Sequence, residues 1–418
     1  MKLLICSANY APEMTGIGKY SGEMAVWLAQ RGHEVRVVAA PPYYPEWRVA
    51  DSHRGRGFCR EFIDGVKVWR APIWVPAAPG GLKRVLHLLS FAATSFVPML
   101  MQVFWKPDVV LVVAPAFVCA PAALLTARLS GACAWLHVQD FEVDVAFSQG
   151  LLAGRRLRAL VGGIERWLFR RFERVSTISH RMLACAQAKG VVESDLMYFP
   201  NWVDTEAIKP VPGLGSNYRR ELGIPADAVV ALFSGSFGRK QGLMLLPAVA
   251  RRLVHMPKLV FVICGGGVMQ AELNAACAGL GNVRLLSLQP SARLGDLLGM
   301  ADIHLLPQSA EASDLVMPSK LCGMLASGRP VVATSGPDTE IAVVLNGCGV
   351  VVAPDDEEAF ADAIAALAAD PARRAKLGGQ ARQRAENELD TTAVLTAFED
   401  ALYGLSRRAR NAERPQHG

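Results

Sequence analysis

The sequence predicts an α/β protein made of two doubly wound, Rossmann-like domains that face a central cleft. Three observations lead to this prediction. Short apolar strands alternate with amphipathic helices along most of the chain, this alternation pauses once near the middle, and a glycine-rich turn follows the first strand of each half. Because open α/β sheets bind ligands at the carboxyl ends of their strands, these two turns are candidate binding sites.

The first domain is predicted at residues 1–208. A buried strand at 3–8 leads through a glycine-rich loop into an amphipathic helix at 20–31. Residues 205–216 contain two prolines and two glycines and no long apolar run, which is typical of a linker. The other strands of this domain are predicted at 34–40, 66–70, 108–114, 133–138, 174–178 and 196–199.

The second domain is predicted at residues 209–389. An amphipathic helix at 390–405 is then expected to pack back on the first domain, and the basic end of the chain is expected to fray. The strands of the second domain are predicted at 228–234, 259–264, 283–286, 302–306, 330–334 and 349–353, with helices that include 243–254, 320–326 and 357–368.

Composition excludes several classes of protein. With 51% apolar and 20% charged residues, the 418-residue chain is neither disordered nor fibrous and can form two or three cores. Residues 1–205 hold 23 basic and 16 acidic side chains, a net charge of +7, whereas residues 206–418 hold 21 and 22. A diffuse positive charge of this size suits an anionic ligand or an anionic membrane surface better than nucleic acid.

Compartment is indicated by the cysteines and the N-terminus. Nine scattered cysteines, an odd number without metal-binding spacing, indicate reduced thiols in a cytoplasmic protein. The apolar run at 3–8 is too short for a signal peptide.

Residues 85–105 depart from the pattern of a soluble protein. They are 21 residues without a formal charge, and a helix of that length is about 30 Å long, enough to cross a bilayer. However, the segment contains six polar or proline residues, and strands expected in one sheet lie on both sides of it. An interfacial helix, a buried core helix and a membrane span all remain open.

A run of seven arginines follows the fifth predicted strand. It predicts either a solvated helix face or a contact with lipid headgroups or a lipid diphosphate. The arginines are Arg155, Arg156, Arg158, Arg166, Arg170, Arg171 and Arg174.

The first glycine-rich loop is TGIGK at residues 15–19. Gly16 and Gly18 let the backbone approach an anion at a helix N-terminus, where the helix dipole supplies positive charge. The loop lacks the third glycine of a dinucleotide fingerprint, and the second strand ends without an acidic residue for a ribose. An NAD site is therefore not expected.

The second glycine-rich turn is FSGSFGRKQG at residues 233–242. Its adjacent cations Arg239 and Lys240 suit a diphosphate, because lysine offers a point charge and arginine a fork for two oxygens. An ordinary charged turn is the alternative. Further along the chain, Ser319 and Lys320 begin a helix whose free N–H groups offer a second place for an anion, with Ser319 as the expected cap.

In this order and spacing, the motifs resemble GT-B glycosyltransferases of the retaining glycosyltransferase family 4, over essentially the whole chain. Residues 136–142 and 316–321 look most like the branch of colanic-acid and related exopolysaccharide enzymes. Other shared elements are His137 at a strand end, STIS at 176–179, PNWVD at 200–204, CGGG at 264–267, AD at 301–302 and A-x-G-x-P-V at 326–331.

The resemblance implies a retaining transfer of a sugar from a nucleotide-diphosphate-sugar donor to a lipid-linked saccharide. It implies no cofactor, no obligatory metal and no nucleic-acid partner, and a place on the cytoplasmic face of the inner membrane. A hexosyl group, with a guanosine-linked deoxyhexose such as fucose as one suggestion, is the transferred sugar.

The resemblance also implies roles for individual residues. The catalytic group is His137 near the transferred sugar, with Lys240 and Arg239 on the donor diphosphate. The other donor-binding residues are Gly16, Gly18, Gly235, Ser236, Glu311, Ser319 and Lys320, and the acceptor or rim residues are Lys19, Asp140 and Glu142.

Two departures from the family pattern leave other activities open. The second of the family's paired glutamates falls on Gly323 and the first on Leu315, with Asp314 and Glu311 nearby. The usual Gly-Arg of the phosphate turn is Gly235-Ser236. A nucleotide-sugar epimerase of the same fold and a non-catalytic nucleotide-binding homologue are the alternatives.

Overall fold

The chain forms two compact α/β units, each with a parallel-sheet core as predicted. The computed structural model describes residues 1–77, 80–115, 117–141, 155–211, 213, 215–310 and 317–412. The first unit comprises Met1–Pro200 together with Leu395–Gly418, and the second comprises Asn201–Val394.

The sheet of the first unit has eight strands in the order β3-β4-β2-β1-β5-β6-β7-β8. All neighbours are parallel except β3 and β4. The strands are β1 (Lys2–Ser7), β2 (Glu34–Ala39), β3 (Cys59–Ile63), β4 (Val66–Arg70), β5 (Val109–Ala114), β6 (Cys133–Val138), β7 (Arg174–Thr177) and β8 (Leu196–Tyr198).

Strand β3 was not predicted, although the sequence carries a signal for it. Asp64 and Gly65 join β3 to β4, and both have positive φ angles, of 48° and 90°. An Asp-Gly pair with positive φ at both positions is typical of a two-residue hairpin turn. The strand is short and lies at the edge of the sheet, so its apolar alternation is weak.

The helices of the first unit pack against the strands of its sheet. They are α1 (Gly16–Gln30), α2 (Gly81–Met101), α3 (Ala120–Ser130), α4 (Arg155–Phe169) and α5 (His180–Ala188). The C-terminal helix α14 (Thr391–Ala412) joins them from residue 395 onward.

Helix α2 contains the long apolar segment. Together with the turn that follows, Gly81–Trp105 is the one helix in the described part of the chain that is long and apolar enough to cross a membrane, with a mean hydropathy of 1.5. Strands β4 and β5, before and after it, lie in one sheet, so the helix does not separate them. Only 28% of its most apolar window is buried, which leaves one face apolar and exposed.

The sheet of the second unit has six parallel strands in the order β11-β10-β9-β12-β13-β14. They are β9 (Val229–Ser236), β10 (Leu259–Gly266), β11 (Val283–Leu286), β12 (Ile303–Leu306), β13 (Val331–Thr334) and β14 (Gly349–Val352). The helices are α6 (Ser216–Glu221), α7 (Leu245–Arg252), α8 (Gln270–Cys277), α9 (Leu294–Gly299), α10 (Lys320–Ala326), α11 (Glu340–Leu345), α12 (Glu357–Ala369) and α13 (Pro371–Glu388).

The boundary between the units lies at residue 200, not at the predicted residue 208. The backbone N–H of Val203 donates to Leu389 O at 2.8 Å, and Thr391 N–H donates to Val203 O at 3.1 Å. Arg382 Nη1 also donates to Ile208 O at 2.7 Å. These hydrogen bonds attach residues 201–208 to the second unit, whereas the proline and glycine cluster that suggested the boundary follows them.

The C-terminal helix returns to the first unit, where its contacts combine apolar packing with charge. The ring of Phe398 stacks on Phe199 with 4.3 Å between centroids and meets the edge of Trp135 at 4.9 Å. Beside it, the Glu399 carboxylate accepts from Arg31 Nε at 2.7 Å and pairs with His33 Nε2 at 2.8 Å. The first unit therefore completes its core with residues of helix α14.

Replacing Phe398 by alanine should destabilise the first unit. The side chain is fully buried, so the substitution removes its ring contacts and leaves a cavity, at a cost of about 3–5 kcal/mol. Denaturant unfolding followed by tryptophan fluorescence measures the change. Asp400→Ala, on the exposed face of the same helix, is the matched control. Equal unfolding midpoints for the two variants would contradict this account of the packing.

Candidate functional site

Two glycine-rich strand ends meet at the carboxyl edge of the second sheet. Gly265 of β10 lies opposite Gly235 of β9 in the parallel register. A Cβ atom on Gly265 would stand 1.9 Å from the carbonyl oxygen of Gly235, so no other residue fits there. The backbones of the two strands consequently pack directly on each other where a ligand of the second unit would bind.

Lys320 lies on this glycine turn. Its Nζ donates to Gln241 Oε1 at 2.6 Å and stands 4.3 Å above the ring of Phe233. A Cβ on Gly235 would lie only 3.5 Å from the same Nζ. The ammonium therefore occupies the turn that the sequence predicted as a diphosphate site.

Burial lowers the pKa of Lys320 to about 7. Desolvation is the sole cause of this shift, and among the residues that the structure describes no carboxylate forms an ion pair with the ammonium. A partly buried cation without a counter-charge gains free energy when an anion arrives. This electrostatic situation makes Lys320 a strong candidate for contact with a diphosphate.

The N-terminus of α10 differs from the prediction in one respect. Ser319 stands at the cap position, but its backbone is helical and its hydroxyl accepts no hydrogen bond from the first turn. The expected side-chain cap is therefore wrong. Because α10 has only seven residues, the main anion-binding group at this place is the side chain of Lys320.

Arg239, Lys240 and Gln241 form a short 3-10 turn after β9. The side chain of Arg239 is exposed, as is Ser236. The backbone of Lys240 lies in this turn, whereas its side chain lies outside the described part of the structure, as does the whole of Glu311. The turn thus brings Arg239 and the Lys240 backbone to the edge of the sheet that also holds Lys320.

Gly323 has a packing reason to differ from the family's glutamate. A Cβ at this position would lie 3.1 Å from Leu298 Cδ1 and 3.8 Å from Ile208 Cδ1. The position faces apolar side chains of the second unit, where a carboxylate would be costly to bury. A missing acid at 323 therefore follows from the local packing of α10.

In the first unit, the loop at Gly16 and Gly18 is built over a buried carboxylate. A Cβ on Gly18 would stand 2.6 Å from both Cβ and Oε2 of Glu13. Glu13 Oε1 accepts the backbone N–H groups of Tyr43 and Tyr44, each at 3.0 Å. Glycine at 18 is thus required so that the loop can close over Glu13.

Glu13 was missed by the sequence analysis. Its Oε2 accepts from Asn9 Nδ2 at 2.9 Å, and burial raises its pKa although these three donors oppose the shift. The feature of the sequence that could have identified Glu13 is its position two residues before the glycine-rich loop. In contrast, Lys19 is a surface residue that forms a long ion pair with Glu23, at 3.7 Å.

His137 is the penultimate residue of β6, and both of its ring nitrogens are in hydrogen bonds. Nδ1 lies 2.9 Å from Ser176 Oγ, and Nε2 lies 3.1 Å from Gln139 Nε2. Burial lowers the pKa of His137 to about 3, so the ring is neutral at physiological pH. This environment suits a hydrogen-bonding role better than proton transfer.

The predicted site residues form one group in each unit. In the first unit, Gly16, Gly18 and Lys19 follow β1. His137 near the end of β6 and half-buried Asp140 after it lie two strands away at the same sheet edge. In the second unit, Gly235, Ser236, Arg239 and Lys320 lie together around the end of β9. Glu142 lies outside the described residues. Within the described ranges, no three His, Cys, Asp or Glu side chains are grouped to hold a metal ion.

Two family models match the chain in succession. The model described as Glycosyl transferase 4-like domain matches residues 15–202, and the model described as Glycosyl transferases group 1 matches residues 216–384. The first match contains the loop over Glu13 and His137, and the second contains the glycine turn and Lys320.

Relatives and solved structures give the same result. A protein of Escherichia coli (strain K12), provisionally assigned as the colanic acid biosynthesis glycosyl transferase WcaI, is 40% identical over 413 residues, covering 97% of this chain and 100% of the relative. Sucrose-phosphate synthase of Thermosynechococcus elongatus has a TM-score of 0.73 at 16% identity, covering 97% of this chain and 98% of the other. Anabaena HepE, in complex with UDP and glucose, has a TM-score of 0.70 at 15% identity, covering 96% and 99%. The two structures show the shared fold and confirm the predicted GT-B architecture.

Lys320 should make the binding of a nucleoside diphosphate depend on pH. The anion requires the charged ammonium, whose pKa in the free protein is about 7. Below that pH the charge is present, whereas above it binding must also take up a proton. The affinity should therefore fall by up to about tenfold per pH unit above pH 7. Calorimetric titration with GDP and UDP, in buffers of different ionisation enthalpy, measures the affinity and the proton uptake.

Two substitutions provide the controls for this pH dependence. Lys320→Arg keeps its charge throughout and should remove the pH dependence, whereas Lys320→Met should weaken binding at every pH. An affinity that stays constant across this range in the unmodified protein would contradict a role for the ammonium.

Proposed function

The chain belongs to the glycosyltransferases of the GT-B fold, in the family that includes the E. coli protein WcaI, and we propose that it builds an exopolysaccharide of the colanic acid type. In this proposal, it transfers a hexosyl group from a nucleotide-diphosphate-sugar to a lipid-linked saccharide, with retention of anomeric configuration. The proposed binding of the donor diphosphate is supported mainly by one observation, the partly buried ammonium of Lys320 next to the turn at Gly235.

The proposed reaction is driven mainly by electrostatic stabilisation of the leaving group. As the bond between the sugar C1 and the diphosphate oxygen breaks, negative charge gathers on the diphosphate. Lys320, Arg239 and Lys240 would stabilise that charge. Cations that are already fixed in place lower the activation barrier most in a site from which water is excluded. The acceptor hydroxyl attacks C1 from the same face and passes its proton to the departing phosphate. Neutral His137 would position the sugar, and no divalent ion is required.

Incubation with GDP-linked and UDP-linked sugars should show turnover of one donor, with fucose among the sugars tested. Product NMR should show the donor's anomeric configuration, and turnover should persist in EDTA. Lys240→Ala should slow transfer by about 10²-fold or more if its side chain stabilises the leaving group.

Other outcomes would each contradict a part of this proposal. A rearranged nucleotide sugar formed without acceptor would indicate an epimerase, and nucleotide binding without transfer would indicate a non-catalytic protein. Inversion at C1 would contradict retention, and unchanged turnover in Lys240→Ala would contradict the role of that residue.

We also propose that the first unit docks on the anionic cytoplasmic face of the inner membrane through α2 and α4. Helix α4 exposes Leu160, Ile164 and Trp167 at a spacing of four and three residues, which forms one apolar stripe. Exposed Arg156 and Arg171 lie at its two ends, and the guanidinium of Arg171 stands 3.7 Å above the Trp167 ring. An apolar stripe with cationic ends fits an anionic bilayer surface.

Helix α2 supplies a second exposed apolar face on the first unit. Ser95 of α2 contacts Cys119 at 3.7 Å, and Phe169 of α4 packs on Phe117 at 5.2 Å, so both helices flank the same short turn. The exposed apolar side chains of α2 and its extension are Leu82, Leu86, Leu89, Phe96, Val97, Met101 and Phe104.

Sedimentation with vesicles tests this docking. The full chain should bind vesicles that contain phosphatidylglycerol, and less so at high salt because part of the attraction is electrostatic. Ile164→Glu with Trp167→Glu should reduce the bound fraction by about tenfold or more. Phe62→Glu, at an exposed aromatic position on β3, is the control and should bind normally. Equal binding of both variants would contradict docking through α4.

A further inference from the structure

A cavity of about 480 Å³ lies in the first unit beside the glycine-rich loop. It is lined by residues 12–14, which follow β1, and by residues 42–44, 46 and 48–51, which follow β2. Its volume falls within the range of about 300–1,000 Å³ that is usual for small-molecule sites. No residue that we have placed on the donor belongs to this lining.

Tyr44 provides an aromatic surface in the cavity. Its side chain is partly exposed, and a Cβ on Gly16 would lie 3.9 Å from its Cε1, so the ring stands next to the glycine-rich loop. The backbone of Tyr44 is held by its hydrogen bond to Glu13. An aromatic ring fixed in this way offers an apolar face to the C–H groups of a sugar ring.

Polar side chains surround this ring. Glu46 is exposed in the cavity, and Arg48 donates from Nη2 to both Asp51 oxygens, at 2.7 and 2.8 Å. The ion pair orients the guanidinium and the carboxylate while both keep hydrogen-bonding capacity. An aromatic face with carboxylates and a guanidinium around it matches the alternation of C–H faces and hydroxyl groups on a saccharide.

The wall of the cavity is joined to α2. The ring of His87, in α2, lies 4.8 Å from Tyr43 and 5.3 Å from Trp47, and its Nδ1 donates to Trp74 O at 2.6 Å. Burial and the nearby charge of Glu13 raise the pKa of Tyr44, whereas Arg84, one turn earlier in α2, lowers it by a smaller amount. The cavity therefore adjoins the apolar helix and a cationic side chain at the same time.

We propose that this cavity binds the terminal saccharide of the acceptor, with Tyr44 as the stacking surface and Glu46, Arg48 and Asp51 as partners of its hydroxyl groups. The lipid end of the acceptor then lies toward α2 and Arg84. This proposal rests on the transferase function proposed above, because it names the site of the second substrate.

Saturation-transfer NMR on the full chain tests the site with methyl glycosides of glucose, galactose and fucose as probes. At least one glycoside should receive saturation, and Tyr44→Ala should reduce it by about five- to tenfold, as expected for the loss of one stacking contact. Tyr44→Phe keeps the ring and should retain the signal. Phe62→Ala removes an exposed aromatic side chain elsewhere in the first unit and is the matched control.

The outcomes separate this proposal from the transferase function. In Tyr44→Ala, the acceptor KM should rise by a similar factor, while the thermal shift caused by GDP or UDP should be unchanged because the donor site lies in the second unit. No saturation of any glycoside, or equal signals in Tyr44→Ala and Phe62→Ala, would overturn the saccharide site even if donor turnover is found. Binding that depends on Tyr44, without turnover of any donor, would support the cavity and contradict the transferase.

Discussion

A positive charge held against the glycine turn of the second unit is the interaction on which the site depends. Lys320 can approach this turn because Gly235 has no side chain, and Gly235 can occupy its position because Gly265 lets the two strands touch. Three separate parts of the chain thus cooperate to hold one ammonium where its pKa is lowered. The arrangement carries an unfavourable desolvation energy, which the diphosphate of the proposed donor would relieve.

In the first unit, a buried acidic side chain, Glu13, holds the glycine-rich loop in a comparable way. Glu13 is buried among backbone and side-chain donors, and it fixes both the glycine-rich loop and the segment that carries Tyr44. One carboxylate therefore sets the geometry of the two surfaces next to which the acceptor is proposed to bind. In both units, a glycine lets the backbone of the candidate site come close to a partly buried ionisable side chain. The side chain is Glu13 in the first unit and Lys320 in the second.

Local patterns sufficed for the fold class, the parallel strands and the position of the glycine turns, because each depends on neighbouring residues. The sequence could not show that Lys320 touches Gly235, since that contact joins residues far apart in the chain. Glu13 was missed for the same reason, because Tyr43 and Tyr44 bury it. The boundary was misplaced because prolines and glycines mark irregular backbone, whereas hydrogen bonds such as that between Val203 and Leu389 decide which unit a segment joins.

The return of the C-terminal helix has a consequence for biosynthesis. The ribosome makes the first 200 residues of the first unit early, but Phe398 and Leu402, which complete its core, emerge only after the whole second unit. Throughout that interval, Trp135 and Phe199 lack the side chain that covers them. The order of synthesis therefore differs from the order of folding: the second unit can fold on the nascent chain, while the first must wait until helix α14 has been made.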